Sequence, residues 1–320
     1  MSARATSITL AANRLCRAGS WVVQSPMAAS IPGDPAWSLT NFAEVLFPCL
    51  DAIGAQSVVE IGAMKGRTTR ELLEWAEKNG SSVTAVDPAP HEELLALKAE
   101  RPELELVREL SLDALRHMPL PDAVLLDGDH NYYTLSRELA LISERASGVR
   151  MPLIFLHDVA WPLARRDQYA APERIPAEHR HPYAHGVALA PGEPGVVRAG
   201  LRYEWVASME GGARNGVLTA IEDFMAEHQR MRLALIPAFF GLGILWHEEA
   251  SWATSIAEIV DPLDRDPIVQ RLEENRVAHL VGRRIVQWEL AEERRKRARW
   301  RRWIPAPLRR LLRRVRDRGR

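Results

Sequence analysis

The sequence predicts an α/β fold: a parallel sheet with helices on both faces, an antiparallel edge strand, and a C-terminal helix running into a basic tail. Three observations carry that expectation. Short apolar runs alternate with stretches of helical spacing through residues 57–159, the pattern of repeated strand–helix units. Those runs contain few polar residues, as strands buried on both faces do. Two further apolar runs around Pro237–Gly243 read as an antiparallel strand pair, one of which would lie at the sheet's edge.

The elements follow in order. Leu39, Phe42, Val45, Leu46, Leu50 and Ile53 recur at helical spacing, and Gly54 closes that helix. "QSVVEIG" is the first strand and "RTTRELLEWAEKNG" its helix; "SVTAVDP" and "HEELLALKAE" are the second pair. "LELVRE" precedes a short helix at "SLDALRHM", "DAVLLDGD" precedes the helix "YTLSRELALISERA", and "MPLIFLHDV" is the fifth strand. A helix at "NGVLTAIEDFMAEH" leads into the strand pair, and a last helical stretch runs from about Pro267 to Trp300.

Domain organisation follows from where this rhythm starts and stops. Residues 1–38 read as a loose N-terminal arm, 39–250 as the main domain, 251–290 as a helical extension and 291–320 as a basic amphipathic tail. Within the domain, 159–215 is rich in Pro, Gly, Arg, His and Tyr. A break this long in a compact domain is read as a lid or substrate-binding insertion.

Net charge is zero, but unevenly distributed: 291–320 holds fourteen Lys or Arg against three Asp or Glu, leaving 28 against 39 before it. Cys16 and Cys49 are too few for a zinc site or a disulfide framework and read as buried thiols of a reducing compartment. The N-terminal apolar stretch is broken by Arg14 and Arg17, which is not a secretory pattern, and no run is long enough to span a bilayer. A cytoplasmic protein is expected, with its tail at the inner face of the membrane as an option.

The stretch "SVVEIGAMKGRTTREL" puts a carboxylate and two glycines between a strand and a helix. Glycines let backbone approach a ligand, and the helix start offers N–H groups. Lys65 precedes Gly66, which makes a Walker loop a weak reading, and only Gly62 and Gly66 are present, which makes a dinucleotide fingerprint weak as well. "VVEIGAMKGRTT" instead resembles the first motif of class I S-adenosylmethionine-dependent methyltransferases. "AVDP" and "DAVLLDGDH" follow at the next matching strand ends. The resemblance covers about residues 40–158 and 216–248, and is nearest to metal-dependent O-methyltransferases acting on catechols and antibiotic sugars.

That resemblance implies a Rossmann-like class I methyltransferase fold with S-adenosylmethionine as cofactor. It places Glu60 toward the cofactor's amino group, Gly62 against its methionine part, and Lys65, Gly66 and Thr68 around the turn. Asp87 would bind the ribose hydroxyls, Ser111 and Leu112 would flank the adenine, and Asp127 would end the fourth strand beside the cofactor.

Adjacent parallel strands would bring Asp127 near His157 and Asp158, and two carboxylates with an imidazole can bind a divalent cation. Oxygen ligands suit Mg²⁺ or Mn²⁺ there, although an imidazole in place of an acidic ligand departs from the family that the site resembles and favours Mn²⁺, Fe²⁺ or Zn²⁺ over Mg²⁺. Without a metal, Asp127 ends a strand and the fifth-strand pair holds the lid. His130 is the candidate general base, with Asp129 as competitor and a capping role for His130 as the plain alternative. In the insertion, Arg165, Arg166, Tyr169, Arg180, His181, Tyr183 and His185 suit an anionic or carbohydrate acceptor.

The tail interleaves Trp300, Trp303, Ile304, Leu308, Leu311, Leu312 and Val315 with arginines. Peripheral membrane contact is the leading reading, with a solvated tail next and nucleic acid third. The function expected is O-methylation of a hydroxylated small molecule or glycan precursor. An oxidoreductase or hydroxylase-associated protein on the same scaffold, and a non-catalytic cofactor-binding protein recruited to membranes by its tail, are the alternatives. A homodimer through the long helix is a further option.

Overall fold

The computed structural model describes residues 37–146 and 150–303, the side chains only as far as 299. The arm 1–36, with Cys16, and residues 304–320 of the tail lie outside them.

A short 3-10 turn, Leu39–Phe42, is capped by the Ser38 hydroxyl and runs into α1 (Ala43–Ile53), which ends at Gly54 as expected. Then come β1 (Ser57–Ile61), α2 (Arg67–Asn79), β2 (Ser82–Val86), α3 (Glu92–Glu100) and β3 (Glu105–Val107). They are followed by α4 (Ser111–His117), β4 (Ala123–Leu126), α5 (Tyr132–Arg145) and β5 (Leu153–His157). The predicted strands are all present, trimmed at their ends where the chain turns.

The sheet has seven strands in the order β3-β2-β1-β4-β5-β9-β8, where β8 is Met231–Ile236 and β9 is Leu242–His247. β1 to β5 pair in parallel; β9 runs antiparallel to β5 and β8 antiparallel to β9, so β8 is the expected edge strand. The order reverses between β1 and β4, the switch point at which open α/β sheets bind ligands beyond the strands' carboxyl ends.

Alternate strand residues feed two cores. Phe155, Trp246, Leu46, Leu50, Leu72 and Leu73 pack on one face with α7 (Ala253–Val260), a helix that the expected extension left undivided. Ile154, Leu156, Leu139, Ile142 and Phe224 pack on the other, with α6 (Val217–Glu227). Cys49 is buried and carries no disulfide, and burial pushes its thiol up to about 12. The final helix, α8 (Pro267–Trp303), is continuous through the start of the predicted tail.

The insertion is folded. It forms an antiparallel pair, β6 (Tyr183–Leu189) and β7 (Leu201–Ala207), which Gln168 extends by bridging to Val206. Its two ends meet at a neck, where the Val217 and Leu218 amides donate to the Leu163 and Ala164 carbonyls at 3.0 Å each.

Candidate active site

The ladder continues past the strands and fixes three strand ends together. The Gly62 amide donates to the Val86 carbonyl (2.9 Å), Asp87 to Val107 (3.0 Å) and Asp127 to Ile61 (2.9 Å). Gly62 has φ +90°, and a Cβ added there would lie 2.1 Å from the Asp127 carbonyl oxygen. The glycine is required by its neighbouring backbone before any ligand is considered. Gly66, at φ +74°, opens α2 against the Leu94 and Leu97 side chains.

Asp87 is buried at the end of β2. Its Oδ2 accepts the Met64 amide (2.7 Å) and its Oδ1 the Ala89 amide (2.8 Å), so it moors the glycine turn to the second strand. Each oxygen keeps a second lone pair for a ligand. Lys65 lies outside, 3.3 Å from Glu93 in an exposed ion pair. Thr68 is buried in the first turn of α2.

Glu60 points into the fold and accepts a hydrogen bond from the Thr69 hydroxyl. Burial pushes its carboxyl up to about 8; the Thr69 bond opposes this, while the Asp127 and Asp87 charges add to it. Thr69 had no signal beyond its place in "GRTT".

Across the switch point, four ionisable groups converge. His157 Nδ1 is 3.0 Å from Asp127 Oδ1 and 4.0 Å from Asp158 Oδ2. His130 Nε2 is 3.4 Å from Asp158 Oδ2 and 3.7 Å from Asp127 Oδ1. Asp127, His157 and Asp158 each present one ligand atom within 4.8 Å of the others. His157 Nε2 lies 3.3 Å from the Phe239 carbonyl, and the Phe42 ring abuts the imidazole edge to face. With Nε2 donating to Phe239, as the second nitrogen of a metal-ligating histidine commonly does, Nδ1 faces the carboxylates: without a metal it carries a proton donated to Asp127, and a cation would take that proton's place. Burial alone would lower the His157 pKa, but the Asp127 and Asp158 charges, with hydrogen bonds to Asp127 and Phe239, carry it up to about 9. Asp158 holds φ +58°, strained for a non-glycine residue. The donor set fits a divalent cation.

Asp129 is tied into the scaffold. Its Oδ1 accepts the Ala170 amide (3.0 Å) and its Oδ2 the Thr134 hydroxyl (3.2 Å), joining the insertion to α5. Burial pushes its carboxyl above the usual range against the pull of those bonds. Ser111 and Leu112 sit half-buried at the start of α4. Ser111 hydrogen-bonds Glu138, a buried residue of α5 whose carboxyl burial lifts to about 8 against that bond. Glu138 Oε1 has no protein partner, and the residue lines a small recess with Gly128, Asp129, His130 and His157.

The insertion corrects part of the acceptor expectation. Arg166 is buried, donating to the Ala207 and Pro194 carbonyls at 2.7 and 2.6 Å. Tyr169 is buried, its hydroxyl donating to Asp167 (3.1 Å) and accepting the His181 amide (3.0 Å). Arg165 is spent on Glu222 of α6 at 2.5 and 2.7 Å. These three hold the insertion down, because a loop rich in carbonyls buries only if donors meet them. Exposed Tyr183 and His185 remain, flanking Trp205 with ring centroids at 5.6 and 4.2 Å. Arg180 and His181 are half-buried, and His181 Nε2 lies 2.8 Å from the Arg214 carbonyl.

Two anchors escaped the sequence reading. Asp167 Oδ1 accepts the Tyr132 amide (2.8 Å) and the Gly216 amide (2.7 Å), joining the starts of α5 and α6. Asn215 Oδ1 accepts the Asp167 amide (2.7 Å), while its Nδ2 donates to Met209 and Gly211.

Comparison with known proteins adds the following. Residues 59–159 match the family described as "Methyltransferase domain". No curated protein matches the chain. Among solved structures, the SAH-bound methyltransferase PaMTH1 of Podospora anserina aligns at 12% identity and TM-score 0.42, covering 78% of this chain and 98% of that one. The O-methyltransferase NcsB1 from neocarzinostatin biosynthesis aligns at 13% identity and TM-score 0.37, covering 63% of this chain and 52% of that one. The family match spans the glycine turn, Asp87 and the Asp127–His157 pair, and residues 59–159 are in this respect similar to a methyltransferase domain.

Proposed function

We propose that the protein is an O-methyltransferase acting on a hydroxyl of a ring-bearing small molecule or glycan precursor. The observation that carries this reading is the meeting of His130 with Asp127, His157 and Asp158 across the switch point from the Asp87-moored turn. When bound, S-adenosylmethionine supplies an electrophilic methyl group, and a divalent cation lowers the pKa of an acceptor hydroxyl.

The protein's own residues do the rest. Asp87 offers free lone pairs to vicinal hydroxyls, and Glu60 stiffens the turn from beneath through Thr69. Ser111 and Leu112 border the cofactor's ring. Asp127, His157 and Asp158 would hold the cation, and the imidazole among them favours Mn²⁺ over Mg²⁺. His130 Nε2 takes the proton from the acceptor hydroxyl, held in orientation by Asp127 and Asp158. Asp129 acts as a positioning residue that locks the insertion beside His130. Position dominates, because the transfer needs only a deprotonated oxygen in line with the methyl group.

The insertion supports a ring-bearing acceptor. The Gln168 amide donates to the His130 carbonyl (2.9 Å), and the Tyr169 amide to the Trp205 carbonyl (3.1 Å). The backbone bearing the Tyr183–Trp205–His185 ladder thus runs within two strand spacings, about 10 Å, of the His130 backbone. Aromatic faces of this kind stack on sugar or aromatic rings.

Calorimetric titration of S-adenosylmethionine, followed by a methyl-transfer assay on hydroxylated aromatic and sugar acceptors with and without Mn²⁺, tests the reading. Micromolar binding, weakened at least about tenfold in Asp87→Ala by the loss of charged hydrogen bonds, is the expected result. Folded protein that binds no cofactor, or binds it and methylates only nitrogen or carbon, overturns it.

A further inference from the structure

The last helix, α8, spans 37 residues, about 55 Å at ~1.5 Å per residue. One face packs on the domain. Val277 and Val281 are buried, Glu273 accepts the Phe240 amide (2.9 Å), and Arg276 lies over the Phe240 ring at 4.6 Å.

The opposite face carries an apolar stripe. Ile268, Leu272, Val286 and Leu290 are 70%, 63%, 52% and 54% exposed, among the most exposed large apolar side chains described. Ile268 and Val286 are separated by five full turns at 3.6 residues per turn, as are Leu272 and Leu290, so the four fall on two lines about 40° apart, with Asn275 and His279 between the two pairs. Their arrangement is symmetric in sequence: position 279 is the midpoint of 268 and 290 and also of 272 and 286.

We propose that α8 pairs antiparallel with the same helix of a second copy of this chain, on a two-fold axis passing by His279. Under that operation Ile268 meets Leu290 of the other copy and Leu272 meets its Val286, the self-complementary contact that an isologous dimer requires. Arg271 and Glu289 lie on one edge of the stripe at nearly equal distances from the axis, so each faces its opposite charge. On the other edge Arg276 is held by Glu273 of its own chain at 2.6 and 2.7 Å, which limits its repulsion of Arg283.

Gly282 supplies an independent observation. It sits mid-helix at the edge of the stripe, one turn from His279, and a Cβ built there would meet nothing within 4 Å in its own chain. A glycine in a helix interior costs about 1 kcal/mol relative to alanine, and no intramolecular contact requires it. The pairing uses it: the missing side chain leaves room for the second copy's His279 ring beside the axis.

Sedimentation of the full chain at micromolar concentration tests the proposal, because the stripe is exposed and substitutions there leave the fold intact. The wild type is expected at twice its 36.0 kDa chain mass, and Leu272→Glu with Val286→Glu at the single mass with an unchanged melting temperature. A monomeric wild type, or a double variant that remains dimeric, overturns the proposal. Wild-type monomers that bind anionic phosphatidylserine vesicles through the stripe, with binding lost in the double variant, overturn it in favour of a membrane. Orientation is read by disulfide capture. His279→Cys is expected to cross-link to itself under mild oxidation while Leu290→Cys does not, and self-linking at both positions means a parallel pair and sinks the geometry.

Discussion

His157 Nδ1 and Asp127 Oδ1 stand 3.0 Å apart as the next rung beyond the last paired residues of two parallel strands, Leu126 and Leu156. Strand register alone brings an imidazole against a carboxylate at the edge of the cofactor crevice. Asp127→Asn keeps size and one acceptor but removes the charge that orients His157 and His130. Methyl transfer should fall by about 10² or more, the scale of a misplaced acid–base group, while calorimetric affinity for S-adenosylmethionine changes little. Chelation should slow the wild type and leave the residual rate of this variant unchanged.

Asp167 should matter more to stability than any residue the sequence offered as catalytic. Its carboxylate satisfies the amides at the starts of two helices and the buried Tyr169 hydroxyl. Asp167→Ala leaves two buried donors and one part-buried donor without a partner, at about 1–3 kcal/mol for each that water cannot reach. Urea denaturation should show a loss of at least about 3 kcal/mol, with Asp167→Asn intermediate.

Gly62→Ala is a backbone clash rather than a lost contact. A Cβ 2.1 Å from the Asp127 carbonyl must push β1 and β4 apart just where the crevice opens. We expect a lower melting temperature and cofactor binding weakened at least about tenfold, equivalent to ~1.4 kcal/mol. An alanine variant with wild-type affinity would mean that the strand ends tolerate separation.

Stability should decline as pH rises from mildly acidic toward about 8. Burial raises Glu60 and Glu138 from 4.5 to about 8, so the folded state holds protons that the unfolded chain releases. Their contribution is complete below 4.5 and lost by about 8. His157, raised from 6.5 to about 9, acts in the same direction: its contribution is present below 6.5 and lost as pH passes about 9. Glu138→Gln cannot ionise and should flatten this decline in urea titrations at several pH values. An equally steep decline in that variant would assign the pH dependence elsewhere.

Strand–helix alternation made the sheet legible because its strands are buried on both faces and their composition shows it. Of the candidate site, the strand ends were legible: strand register brings Gly62, Asp87, Asp127, His130, His157 and Asp158 to one edge of the sheet. The site was illegible where one residue answers another far along the chain. Nothing local marks Asp167 as the partner of Tyr132 and Gly216, or Arg166 as buried rather than ready for an acceptor. Glu138 reads as one more charge on an amphipathic helix, and only the packed structure shows that its carboxyl is buried. Asp129, a plausible base by position, is committed to Ala170 and Thr134 by the folding of a segment that carries no periodic pattern.

The neck at residues 163–166 and 216–218 has an engineering consequence. Chain enters and leaves the aromatic layer through one doorway, pinned by the Leu163–Val217 and Ala164–Leu218 bonds and by Gly216, where a Cβ would lie 2.3 Å from the Arg166 nitrogen. The β6–β7 pair between those posts can be exchanged as a cassette, provided Asp167, Asn215 and the Gln168 and Ala170 amides are kept, without re-threading a strand of the seven-stranded sheet. Under the proposed function, selectivity for the acceptor would diversify in this one module while the turn moored by Asp87 stays as it is.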